Sequence, residues 1–198
     1  MKLVVVSAGL SLPSSTRLLA DRLADATRQN LAEAGHEVGV HVIELRELAT
    51  DISHNLVNGF PGPTLSEALE AVIVVTPVFS ASYSGLFKSF FDVLDNAALV
   101  GKPVLIAATG GSSRHSLVLE HALRPLFAYL RAIVVPTAVY GTSEDWGSAG
   151  DERSDGLAAR IGRAGGEPAG LMAGRPDVAG TPGTIAPFEQ QLAALKSA

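Results

Sequence analysis

The hydrophobic pattern of this chain alternates between short runs of β-branched residues and longer segments with apolar positions three or four residues apart. The short runs predict strands at Leu3–Val6, Val38–Leu45, Ala71–Thr76, Pro103–Ala108 and Ile133–Val139. Ala71–Thr76 is the most apolar run, which favours the centre of a sheet. Pro136 lacks a backbone N–H, so it favours a sheet edge for the last run.

The longer segments predict helices at Ser14–Ala34, Gly85–Leu94, Ser116–Arg131 and Leu157–Ile161. Gly35 follows the first of these, where glycine commonly ends a helix. Strands that alternate with helices form parallel sheets with right-handed crossover connections. The pattern therefore predicts an α/β fold, a three-layer doubly wound parallel sheet of five strands.

Length and the composition of the C-terminal part indicate how the chain is organised. A chain of 198 residues is of ordinary size for one domain. Beyond Tyr140 the sequence is rich in Gly, Ala, Pro and Asp, and Gly174–Pro187 is typical of a linker or tail. We expect one domain over residues 1–172 and a flexible C-terminal tail over residues 173–198.

Charge and composition exclude several classes of function. The formal net charge is −5, so the basic face of a nucleic-acid-binding protein is not expected. The chain has no cysteine, and its five histidines do not follow a zinc-binding spacing, so no metal site is expected. No run approaches the roughly 20 apolar residues of a membrane helix. Ser7 and Gly9 interrupt the first apolar run too early for a signal peptide, and we expect a cytoplasmic protein.

Ligands of doubly wound sheets bind at the carboxyl ends of the strands, so the loops after the first, third and fourth predicted strands carry the candidate chemistry. The first loop, Ser7–Thr16, places Gly9 and several hydroxyls at the start of the first predicted helix. Free N–H groups at a helix N-terminus favour a phosphate there. Ser14 or Ser15 would also serve as an ordinary helix N-cap, but the loop has more hydroxyls than capping requires, which favours phosphate binding. The loop has neither a Gly-x-Gly-x-x-Gly nor a P-loop pattern.

The second and third loops have different compositions. Thr76–Gly85 offers backbone N–H and C=O groups beside an apolar surface, which suits a planar heteroaromatic ring with a polar edge. Ala108–His115 contains two glycines, which let the backbone approach a partner closely. His115 is suited either to a functional role or to capping and core packing, and the sequence favours neither.

Particular residues of these loops resemble the NADPH-dependent FMN reductase family. Thr76–Phe79 together with Ser82–Lys88 is similar to the family's Thr-Pro-x-Tyr…x-Tyr-Ser-Gly-x-x-Lys segment. The similarity continues through Ala108–Gly111, His115 and Ala122–Leu126, and extends from Met1 to about Tyr140. It is greatest for the subgroup that supplies reduced flavin to two-component monooxygenases.

The resemblance implies a flavodoxin-like fold with strand order 2-1-3-4-5 and FMN at the point where the strand order reverses. It implies hydride transfer from NAD(P)H to FMN without a catalytic acid or base, a partner monooxygenase, and a homodimer or homotetramer. The candidate cofactor-binding residues are Gly9, Ser11, Ser14, Ser15, Thr16, Pro77, Val78, Phe79, Ser84, Gly85, Thr109, Gly110, Gly111, Ser112 and His115.

The chain departs from the family pattern at two positions. Ser11 stands where the family's first loop carries an arginine, and the loss of that cation is expected to weaken phosphate binding by about 1–3 kcal/mol unless Arg17 or a partner subunit compensates. Phe79 stands in place of a tyrosine and lacks its hydroxyl. The resemblance also predicts a local π-helical distortion near His121. In the subgroup, such a distortion is associated with release of the flavin.

Other functions remain open on the sequence alone. A quinone or azo reductase on the same fold differs chiefly in the acceptor that enters after flavin reduction. A non-enzymatic flavodoxin-like binding module is a further alternative, because Ser11 removes a contact to the phosphate. Trp146 is suited to a lid, to an interface anchor or to satellite packing, and satellite packing is the favoured role.

Overall fold

A computed structural model of the chain describes residues 1–58, 71–95, 97–146 and 156–174. The strands are β1 (Lys2–Ser7), β2 (Gly39–Glu44), β3 (Ala71–Phe79), β4 (Ser82–Tyr83), β5 (Pro103–Gly110), β6 (Ile133–Val134) and β7 (Val139–Thr142). The α-helices are α1 (Ser15–Glu33), α2 (Ala49–Asn58), α3 (Gly85–Asp92), α4 (Arg124–Tyr129) and α5 (Leu157–Ala173). None of the helices in the described ranges is both long and apolar enough to cross a membrane.

The sheet is parallel in its main path, which runs β2-β1-β3-β5-β6, with β7 pairing parallel to β5 farther along that strand. Counting only the predicted strands, the order is 2-1-3-4-5, as expected, and this is the order of the flavodoxin-like fold. Alternate residues of β1 contribute to two hydrophobic cores, Val4 and Val6 to one and Leu3 and Val5 to the other. The central strands are therefore covered on both faces, which explains their nearly continuous apolar sequence.

The last predicted strand, Ile133–Val139, is wrong as a single element. It forms β6 and β7 with a break between them, and β7 continues to Thr142. Pro136 has no N–H for a strand ladder. The backbone N–H of Thr137 turns away from the sheet and donates to Glu167 Oε2 at 2.8 Å. This split gives six strands in place of the predicted five, and one further strand brings the sheet to seven within the described residues.

The further strand is β4, which the sequence pattern did not predict. It pairs antiparallel with the end of β3, through Val78 with Tyr83 and Phe79 with Ser82. The turn between them places Ser80 and Ala81 at φ values of 49° and 63°. Hairpin turns of this kind normally carry glycine or asparagine, so Ser-Ala gives no turn signal.

The last two predicted helices also differ from those observed. The segment predicted as one helix, Ser116–Arg131, contains a π-helical turn, Leu119–Leu123, followed by α4. The last helix runs from Leu157 to Ala173, well past the predicted end at Ile161. Its glycines and Pro168 lower helix propensity, and packing against α1 outweighs that preference. The predicted tail lies outside the described residues beyond Gly174.

The packing of α5 on α1 leads to a testable prediction. A Cβ at Gly165 would lie 2.7 Å from Ala26 Cβ and 2.9 Å from the backbone N of Thr27. We expect Gly165→Ala to lower the free energy of unfolding by about 1–3 kcal/mol, because the two helices would have to separate. Gly170→Ala in the same helix is the control, because a Cβ there meets nothing within 4 Å.

Urea unfolding of the two variants measures this difference. Gly170→Ala should leave stability unchanged or raise it by up to about 1 kcal/mol, since alanine has the higher helix propensity. Equal midpoints for the two variants would contradict the close approach of α1 and α5.

Candidate functional site

The candidate site lies at the end of the sheet where the carboxyl ends of β1, β3 and β5 meet. We call this end of the sheet, and not an edge strand, the sheet edge. Ser7 at the end of β1 is in register with Val75 of β3, and Pro77 of β3 is in register with Thr109 of β5. The parallel register therefore brings the three loops singled out in the sequence to one edge.

The first loop turns directly into α1. Ser14 is the N-cap of this helix, and its Oγ accepts a hydrogen bond from the backbone N–H of Arg17 at 3.1 Å. A Cβ at Gly9 would lie 2.1 Å from Ser14 Oγ, so only glycine permits this approach. Ser15 is exposed and Thr16 follows it in the first turn. The N–H groups of these two residues cannot be bonded within the helix and face its N-terminal end.

Ser7 is a polar residue of this edge that the sequence reasoning did not select. Its side chain is fully buried, and Oγ has no hydrogen-bond partner among the residues described. By strand alternation it lies on the same sheet face as Leu3 and Val5, which belong to the core cluster that also contains residues of α1. An unsatisfied buried hydroxyl is rare in proteins and calls for a partner. The sequence pattern assigned Ser7 to the loop after the first strand, and nothing in the sequence shows that its side chain is buried.

A buried hydroxyl pair joins the first loop to the third. Thr16 Oγ1 and Thr109 Oγ1 lie 2.8 Å apart, and either one can be the donor. Both residues are at most 4% exposed. Two of the predicted cofactor-binding residues are therefore brought into direct contact, and their hydroxyls hold the loops together.

The second loop is fixed from within by Thr76. Its Oγ1 accepts a hydrogen bond from the backbone N–H of Ser84 at 3.1 Å and donates to the carbonyl oxygen of Pro77 at 3.0 Å. Ser84 in turn caps α3, because its Oγ accepts from the N–H of Phe87. Ser84 is buried, whereas the ring of Phe79 is 49% exposed at the tip of the β3–β4 hairpin.

The third loop is held from below by Tyr140. The hydroxyl of Tyr140 donates to the carbonyl oxygen of Ser112 at 3.0 Å, and burial raises the pKa of this tyrosine. A Cβ at Gly110 would lie 2.1 Å from the same hydroxyl, so this position requires glycine. Gly111 differs, because a Cβ there meets nothing within 4 Å. Space beside Gly111 is therefore open to a ligand.

His115 ends a short 3₁₀ turn, Ser113–His115, that follows this loop. It is exposed, so the core-packing interpretation is wrong. Ser112 caps the turn, with its Oγ accepting from the N–H of Arg114 at 3.3 Å. His115 is thus a surface residue at the site edge.

The π-helical distortion predicted near His121 is confirmed. The backbone N–H of Arg124 donates to the carbonyl oxygen of Leu119, five residues back, in place of the usual four. Arg124 forms a bidentate pair with Glu120, at 2.6 Å and 2.9 Å, and the guanidinium holds the pKa of that carboxyl below its ordinary value. His121 is exposed on this turn.

The expectation that Arg17 compensates for Ser11 is not supported by its contacts. Arg17 Nε donates to Asp21 at 2.8 Å and Nη1 donates to Glu44 at 2.5 Å. The sequence reasoning missed Arg46, whose Nη1 lies 3.5 Å from the carbonyl oxygen of Ser11. In the described part of the chain, no cluster of three or more His, Asp or Glu residues is arranged to hold a metal ion.

The segment after β7 borders the site and is held by Asp145. This carboxylate accepts hydrogen bonds from the N–H and Oγ1 of Thr142, at 2.7 Å and 2.8 Å, and from Arg160 at 2.8 Å. Burial by itself raises the pKa of Asp145, but the bonds from Thr142 and Arg160 outweigh it, and the pKa lies below its ordinary value. Trp146 packs against the core beside Gly141, as the satellite-packing interpretation expected.

This arrangement predicts a dependence of stability on pH. Because the pKa of Asp145 is lower in the folded than in the unfolded chain, its contribution is present above about pH 4 and is lost as the pH falls through the folded value. At about pH 7 we expect Asp145→Asn to lower the free energy of unfolding by about 1–3 kcal/mol. The difference from the wild type should shrink as the pH approaches about 3.

Urea midpoints at the two pH values check this, with Asp25→Asn as the control. Asp25 is 62% exposed and forms an exposed ion pair with Arg28 on the same helix, so its replacement should have little effect at either pH. A stability difference for Asp145→Asn that does not change with pH would contradict the account.

Known proteins resemble this chain over most of its length. A family model described as NADPH-dependent FMN reductase matches residues 1–147. An FMN reductase (NADPH) of Pseudomonas aeruginosa is 39% identical over 153 residues, which cover 73% of this chain and 78% of that protein. The NADH-dependent FMN reductase SfnE of Pseudomonas putida is 40% identical over 169 residues, covering 81% of this chain and 87% of that protein.

A solved structure also resembles this chain over most of its length. The structure of an oxidoreductase from Corynebacterium diphtheriae is 46% identical and covers 88% of this chain and 98% of that one, with a TM-score of 0.82. The match extends across the three loops of the candidate site, which all lie within the residues that the family model covers. The chain belongs to the NADPH-dependent FMN reductase family.

Proposed function

We propose that this protein is an NAD(P)H-dependent FMN reductase that releases reduced flavin to a partner monooxygenase. The observation that carries the proposal is the convergence of three fixed loops at the edge where β1, β3 and β5 end, in a chain that belongs to this family. Each loop is fixed by its own hydrogen bonds, so a flavin would meet a preformed surface.

The donors of the first loop fit the FMN phosphate. The N–H groups of Ser15 and Thr16 point from the first turn of α1, where the helix dipole favours an anion. The hydroxyl hydrogen of Ser14 is free to donate, because its oxygen serves as the acceptor in the N-cap. These N–H and hydroxyl groups are neutral donors, and phosphate oxygens can accept hydrogen bonds from them.

The other two loops fit the ring system. Pro77, Val78 and the exposed ring of Phe79 offer an apolar surface, with the N-terminal end of α3 beside it. Across the sheet edge, Gly110 and Gly111 expose backbone groups, and the open space at Gly111 allows the edge of a ring to approach. We assign Pro77–Phe79 and Ser84–Gly85 to one side of the isoalloxazine and Thr109–Ser112 with His115 to its other edge.

The chemistry requires little from side chains. FMN, when bound, supplies the hydride acceptor, and the protein's part is positioning and the exclusion of competing reactions. No acid or base is assigned, and the two titratable side chains of the 3₁₀ turn after the third loop, His115 and Arg114, are exposed. Ser11 and Ser15 are exposed as well, so the phosphate end of the site opens to solvent. An open phosphate end suits a flavin that exchanges with a partner enzyme.

We further propose that the protein forms a homodimer or homotetramer. Phe87 and Phe127 are fully buried in the core, so they do not contribute to a subunit interface. Leu117 and Tyr129 are 62% and 79% exposed and supply apolar surface on either side of the π-helical turn. Sedimentation that shows only a monomer at micromolar concentration would contradict this assembly.

The proposed reaction is tested by anaerobic stopped-flow absorbance with purified protein, FMN and either NADPH or NADH. We expect flavin absorbance to fall as the nicotinamide cofactor is consumed, and bound FMN to be removed by gel filtration. Menadione in place of excess FMN tests the quinone reductase alternative. Turnover with menadione but not with free FMN would contradict the proposal, and absence of FMN binding would favour a binding module.

The site assignment is tested by Gly111→Ala. Because a Cβ at Gly111 meets no atom of the protein within 4 Å, the variant should unfold like the wild type. Its FMN affinity should fall about tenfold if the flavin edge occupies that space. Gly162→Ala in α5 is the matched control, since a Cβ there also meets nothing within 4 Å. Unchanged FMN affinity in Gly111→Ala would remove the third loop from the site.

A further inference from the structure

The proposed phosphate site has neutral donors and lacks a cation of its own. Residues 7–16 contain no lysine or arginine. A phosphate dianion is bound more strongly when at least one donor is positively charged, because charge-assisted hydrogen bonds are roughly twice as strong as neutral ones. A cation at this site must therefore come from another part of the chain.

Arg17 is the nearest guanidinium in sequence, but two carboxylates hold it. Its Nε donates to Asp21 at 2.8 Å and its Nη1 to Glu44 at 2.5 Å. These carboxylates raise the pKa of Arg17, with the hydrogen bond to Asp21 as the main cause. Both contacts draw the guanidinium toward β2 and the flank of α1.

Arg46 reaches the first loop from the neighbouring strand. It lies in a 3₁₀ turn, Leu45–Leu48, directly after β2. Because Ser7 of β1 is in register with Glu44 of β2, residues that follow Glu44 lie beside residues that follow Ser7. Arg46 Nη1 lies 3.5 Å from the carbonyl oxygen of Ser11, across 35 residues of sequence.

The contacts of Arg46 position it without using its full capacity. Nη2 lies 3.1 Å from Glu44 Oε2, and this carboxylate is only 10% exposed. Glu47 is the other acidic residue near Arg46, at 4.0 Å, and is 70% exposed. The contact with Ser11 is long for a hydrogen bond. A guanidinium has five N–H donors, so several remain for an anion at the loop.

Glu44 lies between the two arginines and orients both. Its Oε1 accepts from Arg17 and its Oε2 pairs with Arg46. The negative charge of Glu44 is thereby balanced within the cluster, and it would remain paired with Arg17 if Arg46 were removed. Replacement of Arg46 therefore leaves the Glu44 carboxylate paired with Arg17 through Oε1.

We propose that Arg46 is the cation that binds the FMN phosphate and that it sets the preference of this protein for FMN over riboflavin. The proposal rests on the proposed function, since it concerns the flavin of that same site. Riboflavin has the same ring and ribityl chain and lacks only the phosphate. A residue that acts on the phosphate alone will change the affinity for FMN and leave that for riboflavin unaltered.

The test is the dissociation constant of each flavin, measured by quenching of flavin fluorescence at low salt. For Arg46→Gln we expect the FMN constant to rise about tenfold or more, with that for riboflavin changing less than about twofold. Arg46→Lys should recover part of the FMN affinity, because lysine keeps the charge and loses the bidentate geometry. Arg28→Gln removes an equal charge from the exposed pair with Asp25 and should change neither constant.

Other outcomes would overturn the proposal. If Arg46→Gln weakens both flavins equally, Arg46 only positions the loop. If Arg17→Gln lowers FMN affinity selectively and Arg46→Gln does not, Arg17 is the cation. If Arg46→Gln raises only the KM for NADPH, Arg46 binds the nicotinamide cofactor. Wild-type protein that binds neither flavin would overturn the proposed function as well, which separates the two failures.

Discussion

The parallel register of β1, β3 and β5 is the constraint on which the candidate site depends. Each of these strands ends at the same edge, and each is followed by a loop whose residues are held by hydrogen bonds. The hydroxyl pair of Thr16 and Thr109 then ties the first loop to the third at a buried position. Without the register, residues 93 positions apart in the sequence would not share a hydrogen bond.

The polar residues of these loops divide into two kinds. Thr76, Ser84 and Tyr140 use their hydroxyls to hold backbone in place. Ser7 and the first N–H groups of α1 retain unused donors at the end where an anion is favoured. The glycines of these loops are also of two kinds. Gly9 and Gly110 make room for protein hydroxyls, whereas Gly111 faces open space. The site is therefore preformed in its supports and open toward a ligand.

The sequence could predict the central strands and the first helix because burial on both faces and clear capping leave a local signal. The sequence could not predict the break at Pro136, because the N–H of Thr137 donates there to a carboxylate that is distant in sequence. That carboxylate belongs to Glu167 of α5. The sequence pattern predicted too short an α5, because packing on α1 compensates for the low helix propensity of the glycines and proline in this helix. The three candidate loops do meet at one end of the sheet, but nothing in the sequence pointed to Arg46, which the pairing of β1 with β2 brings to Ser11.

The central claim is that FMN binds across the three loops, and a crystal structure of the protein with FMN tests it most directly. The account predicts the phosphate within hydrogen-bonding distance of Ser14 and of the N–H groups of Ser15 and Thr16, with the isoalloxazine between Pro77–Phe79 and Gly110–Gly111. The described residues also line an open pocket of about 310 Å³ between α2 and α3, formed in part by Ile52 and Phe90. A flavin bound in that cavity, with the loops at the sheet edge empty, would contradict the account.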